Sequence, residues 1–289
     1  MSQSLSVCTL VRNRTAHLKN VLAGLSNQTA PADDIVIVWM QPELDNVGTT
    51  DLPLRHVTVA SQALPLAEAR NAAAEAASGD LLVFVDVDCV PAPGLCGAYR
   101  HVLSENPAAC VMGTTRYLTA GVPVAGQPFE ALWDHAVQHP ARIDPDATDS
   151  AVQSIPDHAE FWSLSFALAK ETFARTGGFD ARFNGYGGED TDFAMRLRAC
   201  GVPLMWSGDA RAVHQWHRVS IPPVQHFDDI IANARLFHRI HGSWPMTYWL
   251  DQFERAGWVH RTTAELTVLR RPGPRDIRAA LQPDNVAFS

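Results

Sequence analysis

The chain has 289 residues, 46% hydrophobic and 19% charged, a globular balance that excludes a disordered or collagen-like chain. Its net charge of −8 and pI near 5.8 exclude generic nucleic-acid binding, which needs basic surface to displace counterions. The length accommodates one large α/β domain or two small ones.

In chain order, Leu5 to Val11 is a short apolar run, the pattern of a buried strand. Leu18, Val21, Leu22 and Leu25 then recur at helical spacing, and Ile35 to Trp39 is a second buried-strand run. Val57 to Ala60 is a weaker third. Leu66 to Ala77 is rich in alanine and predicts a helix, stopped by Gly79. Leu81 to Val85 is the clearest strand of the chain. Apolar strands alternating with amphipathic helices predict an α/β fold, a Rossmann-like, mostly parallel sheet with helices on both faces. Such sheets bind ligands at the carboxyl ends of their strands.

From Thr119 to Pro156 the periodicity fades, which predicts long loops with one helix around Phe129 to Val137. Order returns at Phe161 to Ala169, followed by a helix from Lys170 to Arg175 ended by Gly177-Gly178. Asp190 to Cys200 predicts another helix, capped by Gly201. Leu204 to Trp206 and Ala212 to His214 read as two short strands, and Val224 to His241 as one long helix. The tail after Arg270 has little pattern and is expected to be poorly ordered. The five cysteines are scattered and form no C-x-x-C pair, as expected of free thiols in a reducing compartment. No signal peptide and no transmembrane segment is recognised, which predicts a cytoplasmic protein.

Four segments carry candidate chemistry. Asp86-Val87-Asp88 ends the clearest strand, where residues two apart point to the same side and two carboxylates call for a cation such as Mn²⁺ or Mg²⁺. A solvated turn is the structural alternative. Gly187-Gly188-Glu189-Asp190-Thr191-Asp192 opens a helix, where acids are also favoured simply as caps. Neighbouring helical residues do not share a face, so one of Glu189 and Asp190 is expected to be catalytic and the other structural. In His214-Gln215-Trp216-His217 an extended backbone places the histidines on opposite faces, so only one would ligate a metal with Asp88. His214 is preferred and His217 is the alternative. Arg12-Asn13-Arg14 after the first strand, and Arg70, offer guanidinium groups for phosphate, although a solvated loop explains the same residues. Trp162 and Tyr186 are candidates for stacking on a sugar face. His238 and His241 share a helix face and read as packing or surface residues.

With these motifs in view, the chain resembles family-2-type glycosyltransferases of the GT-A fold, and within them the galactosyltransferase-related branch. The segments that carry the resemblance are Arg12-Asn13-Arg14 with His17-Leu18-Lys19, Asp86-Val87-Asp88, and Gly177-Gly178-Phe179-Asp180 leading to Gly185-Tyr186-Gly187-Gly188-Glu189-Asp190-Thr191-Asp192-Phe193. It spans roughly Leu5 to His217, and the C-terminal helices match nothing assignable.

The resemblance implies a nucleotide-sugar donor, UDP-linked, and a carbohydrate, glycolipid or other hydroxyl acceptor. It implies that residues 1–118 hold the donor, 119–220 the acceptor and catalytic groups, and 221–289 a C-terminal helical extension. Arg12, Arg14, Arg70 and Asp86 would bind the donor. Asp88 and His214 would bind the metal, with Asp86 beside them. Asp190 would be the general base, with Glu189 orienting hydroxyls, and Tyr186, Gly188 and Trp162 would line the acceptor site. Tyr186 departs from the tryptophan of the galactosyltransferases. No second carboxylate is placed as a nucleophile, which favours inversion of the anomeric centre.

Rival nucleotide chemistry lacks its signatures. A dehydrogenase needs G-x-G-x-x-G where this chain has Arg12-Asn13-Arg14-Thr15, and no P-loop is present. The alternatives kept are a sugar nucleotidyltransferase, which would need an early Gly-rich loop, and a catalytically silent sugar- or nucleotide-binding protein.

Overall fold

The structure, a computed structural model, describes residues 3–141 and 152–287. The first half alternates as the apolar pattern requires: β1 (Leu5–Val11), α1 (Thr15–Ser26), β2 (Asp34–Trp39), β3 (Leu54–Thr58), α2 (Leu66–Ala76), β4 (Leu81–Val85) and β5 (Cys89–Pro91). Next come α3 (Leu95–Glu105), β6 (Cys110–Tyr117), α4 (Phe129–His135), β7 (Val152–Ile155), β8 (Ser165–Ala169), α5 (Lys170–Thr176), α6 (Glu189–Ala199) and β9 (Leu204–His214). The C-terminal part holds α7 (Phe227–His241), α8 (Thr247–Arg255), the hairpin β10 (Val259–Arg261) and β11 (Leu266–Val268), and α9 (Pro274–Ala280).

One sheet joins nine strands among the described residues, in the order β3-β2-β1-β4-β8-β6-β9-β5, with β7 also on β9. β1, β2, β3, β4, β6 and β9 run one way, and β5, β7 and β8 run against them. Successive β1 side chains serve opposite faces. Leu5, Val7 and Val11 pack with Leu18, Val21, Leu22 and Leu25 of α1 and with α3. Cys8 and Leu10 pack with the alanines of α2 and with Phe173 and Phe193 of α5 and α6. Each face is thus sealed by helices, as expected of strands apolar on both sides.

Four expectations need correction. The two short strands predicted in 204–214 are one strand, Leu204–His214, whose register against β6 jumps between Gly113 and Thr114. The polar Ser207-Gly208-Asp209 step breaks the apolar pattern, yet it bulges while pairing resumes at Arg211. The long helix from Val224 begins with a 3₁₀ turn, Val224–His226, and becomes α-helical at Phe227. Over its described residues the tail is structured. It forms α9 and returns to the segment after β9, where Ile221 N–H donates to Ala280 O and Gln282 N–H to Val219 O, 2.9 and 3.0 Å. Backbone pairing of this kind leaves no hydrophobic period to read. Of the loop region predicted from Thr119 to Pro156, residues 142–151 lie outside the described residues, and Val152–Ile155 is a strand rather than a loop. Among the described residues no helix is long and apolar enough to cross a membrane.

Candidate active site

β4 ends at Val85, and the chain turns back as Cys89 N–H bonds to Asp86 O at 2.8 Å. This turn lifts Asp88 away from the strand line and buries it to 4% exposure. β5 then pairs antiparallel with the end of β9, which brings Cys89 opposite His214. Beyond His214 the strand stops, and Gln215 N–H donates to Asp88 O at 2.6 Å.

Asp88, His214 and His217 therefore converge, one ligand atom of each lying within 4.8 Å of the others. The expectation that the two histidines face opposite ways holds only for a continuing strand. The chain leaves the sheet after His214, and the imidazole centroids lie 5.3 Å apart. Asp86 is outside that group, its N–H bonded to Leu164 O at 2.8 Å. Two residues apart is same-sided only within a strand, and here the pair lies in a turn.

The electrostatics suit a cation. Burial first, then the neighbouring His217, Arg14 and His17, hold His214 well below the ordinary imidazole range. Burial and Arg14 lower His217 too, and both shifts favour the neutral imidazole whose lone pair a metal requires. His214 Nδ1 is buried without a hydrogen-bond partner, an unusual state for a buried polar atom. Two neutral nitrogens and one carboxylate form a donor set suited to a first-row divalent ion.

The loop Arg12-Asn13-Arg14 splits its guanidinium groups. Asn13 adopts φ 55°, a left-handed conformation that asparagine tolerates. Arg12 donates to Ala63 O and Gln62 O, 2.7 and 3.1 Å, and so ties down the loop before α2. Arg14 contacts the Asp88 carboxylate. Burial lowers its pKa, and the charge of Asp86 opposes that shift.

On the facing side, Gly188 (φ 90°) caps α6 and delivers Glu189 and Asp190 into the first turn. Glu189 is 5% exposed, with Oε1 3.2 Å from Arg70 Nη1 and Oε2 buried without a partner. Arg70 also donates to Ser163 Oγ at 2.8 Å and lies over the Phe179 ring. Asp190 is partly buried and accepts from Thr191 N–H at 2.8 Å. Burial, then its neighbour's charge, raises the pKa of Glu189, and burial raises that of Asp190.

Tyr186 stacks on His226 and Trp249 of the C-terminal part, centroids 4.4 and 5.6 Å away. Burial and then Glu189, Asp190 and Asp86 raise its hydroxyl pKa, which places these acids around it. Trp162 is half-buried, edge-on to His139 at 4.8 Å, and lines a small cleft with Tyr117 and Trp206. Tyr117 in turn stacks on His214 at 4.8 Å.

The sequence reading missed three contributors. His17 Nδ1 lies 2.5 Å from Asp88 Oδ1, and its i+3 spacing from Arg14 in the first turn of α1 was the available signal. Asn233 of α7 donates to Gly187 O at 2.8 Å. His241, read as a packing or surface residue, donates from Nε2 to Asp192 Oδ1 at 2.8 Å, and Asp192 is fully buried on α6. No local pattern marks these last two, because the C-terminal part reaches the site only through docking.

Comparison with known proteins agrees with this architecture. Validoxylamine A glucosyltransferase of Streptomyces hygroscopicus subsp. jinggangensis (strain 5008) is 26% identical over 276 residues, covering 85% of this chain and 63% of the relative. Hyaluronan synthase of Pasteurella multocida is 25% identical over 236 residues, covering 73% of this chain and 24% of the relative. The chain thus spans less than two thirds of the length of the curated relatives it matches. Among solved structures, GalNAc-T7 with UDP, GalNAc and Mn²⁺ superposes with TM-score 0.58 at 14% identity, over 74% of this chain and 43% of that one. The mannosyltransferase PcManGT from Pyrobaculum calidifontis, in complex with GDP-Man and Mn²⁺, superposes with TM-score 0.52 at 18% identity, over 89% and 70%. These likenesses establish a GT-A fold. Residues 43–209 match the profile described as Glycosyltransferase like family 2, more than half of the 289 residues, and the protein belongs to that family.

Proposed function

We propose that the chain is a metal-dependent, inverting glycosyltransferase that moves a hexose from a UDP-linked donor to an acceptor hydroxyl. The observation that carries this reading is the convergence of Asp88, His214 and His217 at the sheet edge where Tyr186, Glu189 and Asp190 also gather. In this reading residues 1–118 hold the donor, 119–220 supply the acceptor and catalytic groups, and 221–289 buttress them.

Asp88, His214 and His217 would hold Mn²⁺ or Mg²⁺, which supplies charge to neutralise the departing diphosphate. Arg14 adds a guanidinium beside the same carboxylate, where negative charge develops on the leaving group. Asp86, which shares the electrostatic neighbourhood of Arg14 and Tyr186, is assigned to the ribose. Asp190 takes the proton of the acceptor hydroxyl as that oxygen attacks the anomeric carbon. Its raised pKa improves it as a base, provided it is ionised at working pH. Glu189 orients a hydroxyl through the unpartnered Oε2 while Arg70 holds Oε1. Arg12 and Arg70 serve the donor from behind, by fixing the 62–63 loop and Glu189.

The acceptor is assigned to the Trp162 and Tyr186 walls, with Gly188 leaving room for its approach. Five unpaired cysteines, four of them buried, support a reducing, cytoplasmic setting. The test is a screen of nucleotide sugars with Mn²⁺, read as donor hydrolysis and thermal stabilisation. Selective stabilisation by UDP sugars, abolished by chelator, is expected. Equal response to all nucleotides, or none, rejects the reading.

A further inference from the structure

We infer that His17 is a positioning residue for Asp88, which presents a single carboxylate oxygen to the metal and so biases the site toward Mn²⁺ over Ca²⁺. The inference rests on the metal reading above. A carboxylate can only accept at Asp88, so the 2.5 Å contact makes His17 Nδ1 the donor and fixes its tautomer. Oδ1 is thereby committed, and Oδ2, which also meets the Arg14 guanidinium, is the oxygen on the side of His217, 3.6 Å from its Nε2. The Asp88 side chain is 5% exposed, so water has little access to loosen this arrangement.

His17 is itself anchored to the ligand-bearing segment. Gln215, 2% exposed and placed between the two histidines, donates from Nε2 to His17 O at 3.2 Å and to Val87 O at 3.4 Å. Its Oε1 accepts from Asn20 Nδ2 at 2.7 Å, and its N–H donates to Asp88 O at 2.6 Å. Gln215, through its side-chain amide and its backbone N–H, thus ties the start of α1 to both sequence segments that carry the ligands. Partners that orient a ligand in this way typically contribute a factor of about 10–100 in metal affinity.

The cation bias follows from oxygen count. Ca²⁺ takes six to eight oxygen ligands and favours bidentate carboxylates. Holding Oδ1 on His17 denies it the second oxygen, whereas Mn²⁺ accepts imidazole nitrogens with one carboxylate oxygen.

The experiment measures Mn²⁺ binding to the full chain without substrate, by the loss of the free-ion electron paramagnetic resonance signal, with Ca²⁺ as competitor. His17→Asn keeps an N–H donor at the Nδ1 position, whereas His17→Gln moves it outward and His17→Ala removes it. Mn²⁺ affinity should fall about 10–100-fold in His17→Ala and His17→Gln and recover in His17→Asn. Ca²⁺ should compete better in the first two. Melting temperatures in chelator should match wild type, which separates positioning from a folding role. Should His17→Ala fail to fold, the contrast between His17→Asn and His17→Gln decides. Wild-type affinity in His17→Ala, or equal affinity in the Asn and Gln variants, overturns the inference alone. Absence of Mn²⁺ binding in wild type overturns it together with the metal reading.

Discussion

Arg70 Nη1 lies 3.2 Å from Glu189 Oε1, joining residues 119 positions apart, and both side chains are more than nine-tenths buried. The pair divides the labour of two adjacent acids. Glu189 is held by a cation, whereas Asp190 accepts from the N–H and hydroxyl of Thr191 next to it. Buried pairs add little net stability when intact, but removing one partner strands the other charge.

Arg70→Met should therefore destabilise the fold by about 3–5 kcal/mol, measured by urea unfolding. Adding Glu189→Gln should recover much of that loss, since no charge is then left unpaired. A single-variant cost near that of an exposed ion pair would show that solvent reaches Glu189.

Asp190→Asn tests the base. Turnover should fall about 10²–10⁴-fold, while the donor dissociation constant, measured by calorimetry, stays near wild type. Undiminished turnover would remove Asp190 from the reaction.

The raised carboxyl pKa values give stability a definite pH slope. The ordinary values are 4.5 for Glu189 and 3.8 for Asp190, and both are raised in the fold. As pH climbs past those values the unfolded chain releases its protons first. The folded chain then binds more protons, so stability falls with rising pH until the raised values are passed. Glu189→Gln removes one of the two contributions. The variant should gain on wild type as pH rises from 4.5 toward neutrality, in unfolding titrations run with chelator. Parallel curves would contradict the raised pKa of Glu189.

Metal should stabilise the chain by mass action, by about 2.7 kcal/mol at a hundred times its dissociation constant. His214→Ala and His217→Ala should each abolish most of the Mn²⁺-dependent rise in melting temperature. If only His214→Ala does so, His217 is not a ligand.

Gly185→Ala probes how the C-terminal part shapes the site. The backbone there has φ 85°, and an added Cβ would meet the Asp229 carboxyl carbon of α7 at 2.3 Å. The left-handed strain alone costs about 1–3 kcal/mol. Adding Asp229→Ala should relieve the clash and leave the strain. Activity should fall in the single variant beyond its loss of stability, because the displaced loop leads directly to Glu189. Intact activity would mean that α7 merely covers the loop.

Much of the first half was legible because its signals are local. Mostly apolar runs at Leu5–Val11 and Leu81–Val85, and the buried leucine and valine stripe of α1, report which side of each element is hidden. The segments around Asp86, Asp88, Glu189 and Asp190 stood out for the same reason, although Asp86 lies outside the group that Asp88 forms with the two histidines. α3 was not among the predicted elements, although Leu95, Cys96, Tyr99, Val102 and Leu103 stand at helical spacing and are buried.

By itself, then, the order of residues determined the alternation of strand and helix, the face each element buries, and the chemical types available at strand ends. Tertiary structure decided which of those types meet. It brought His217 beside His214 by ending β9 against Asp88, gave Arg70 to Glu189, and set α7 and α8 against the Gly185–Gly188 loop. The reason is physical: side-chain period along a chain encodes burial, whereas the approach of segments far apart is set by strand register and by hydrogen bonds whose two ends share no local pattern.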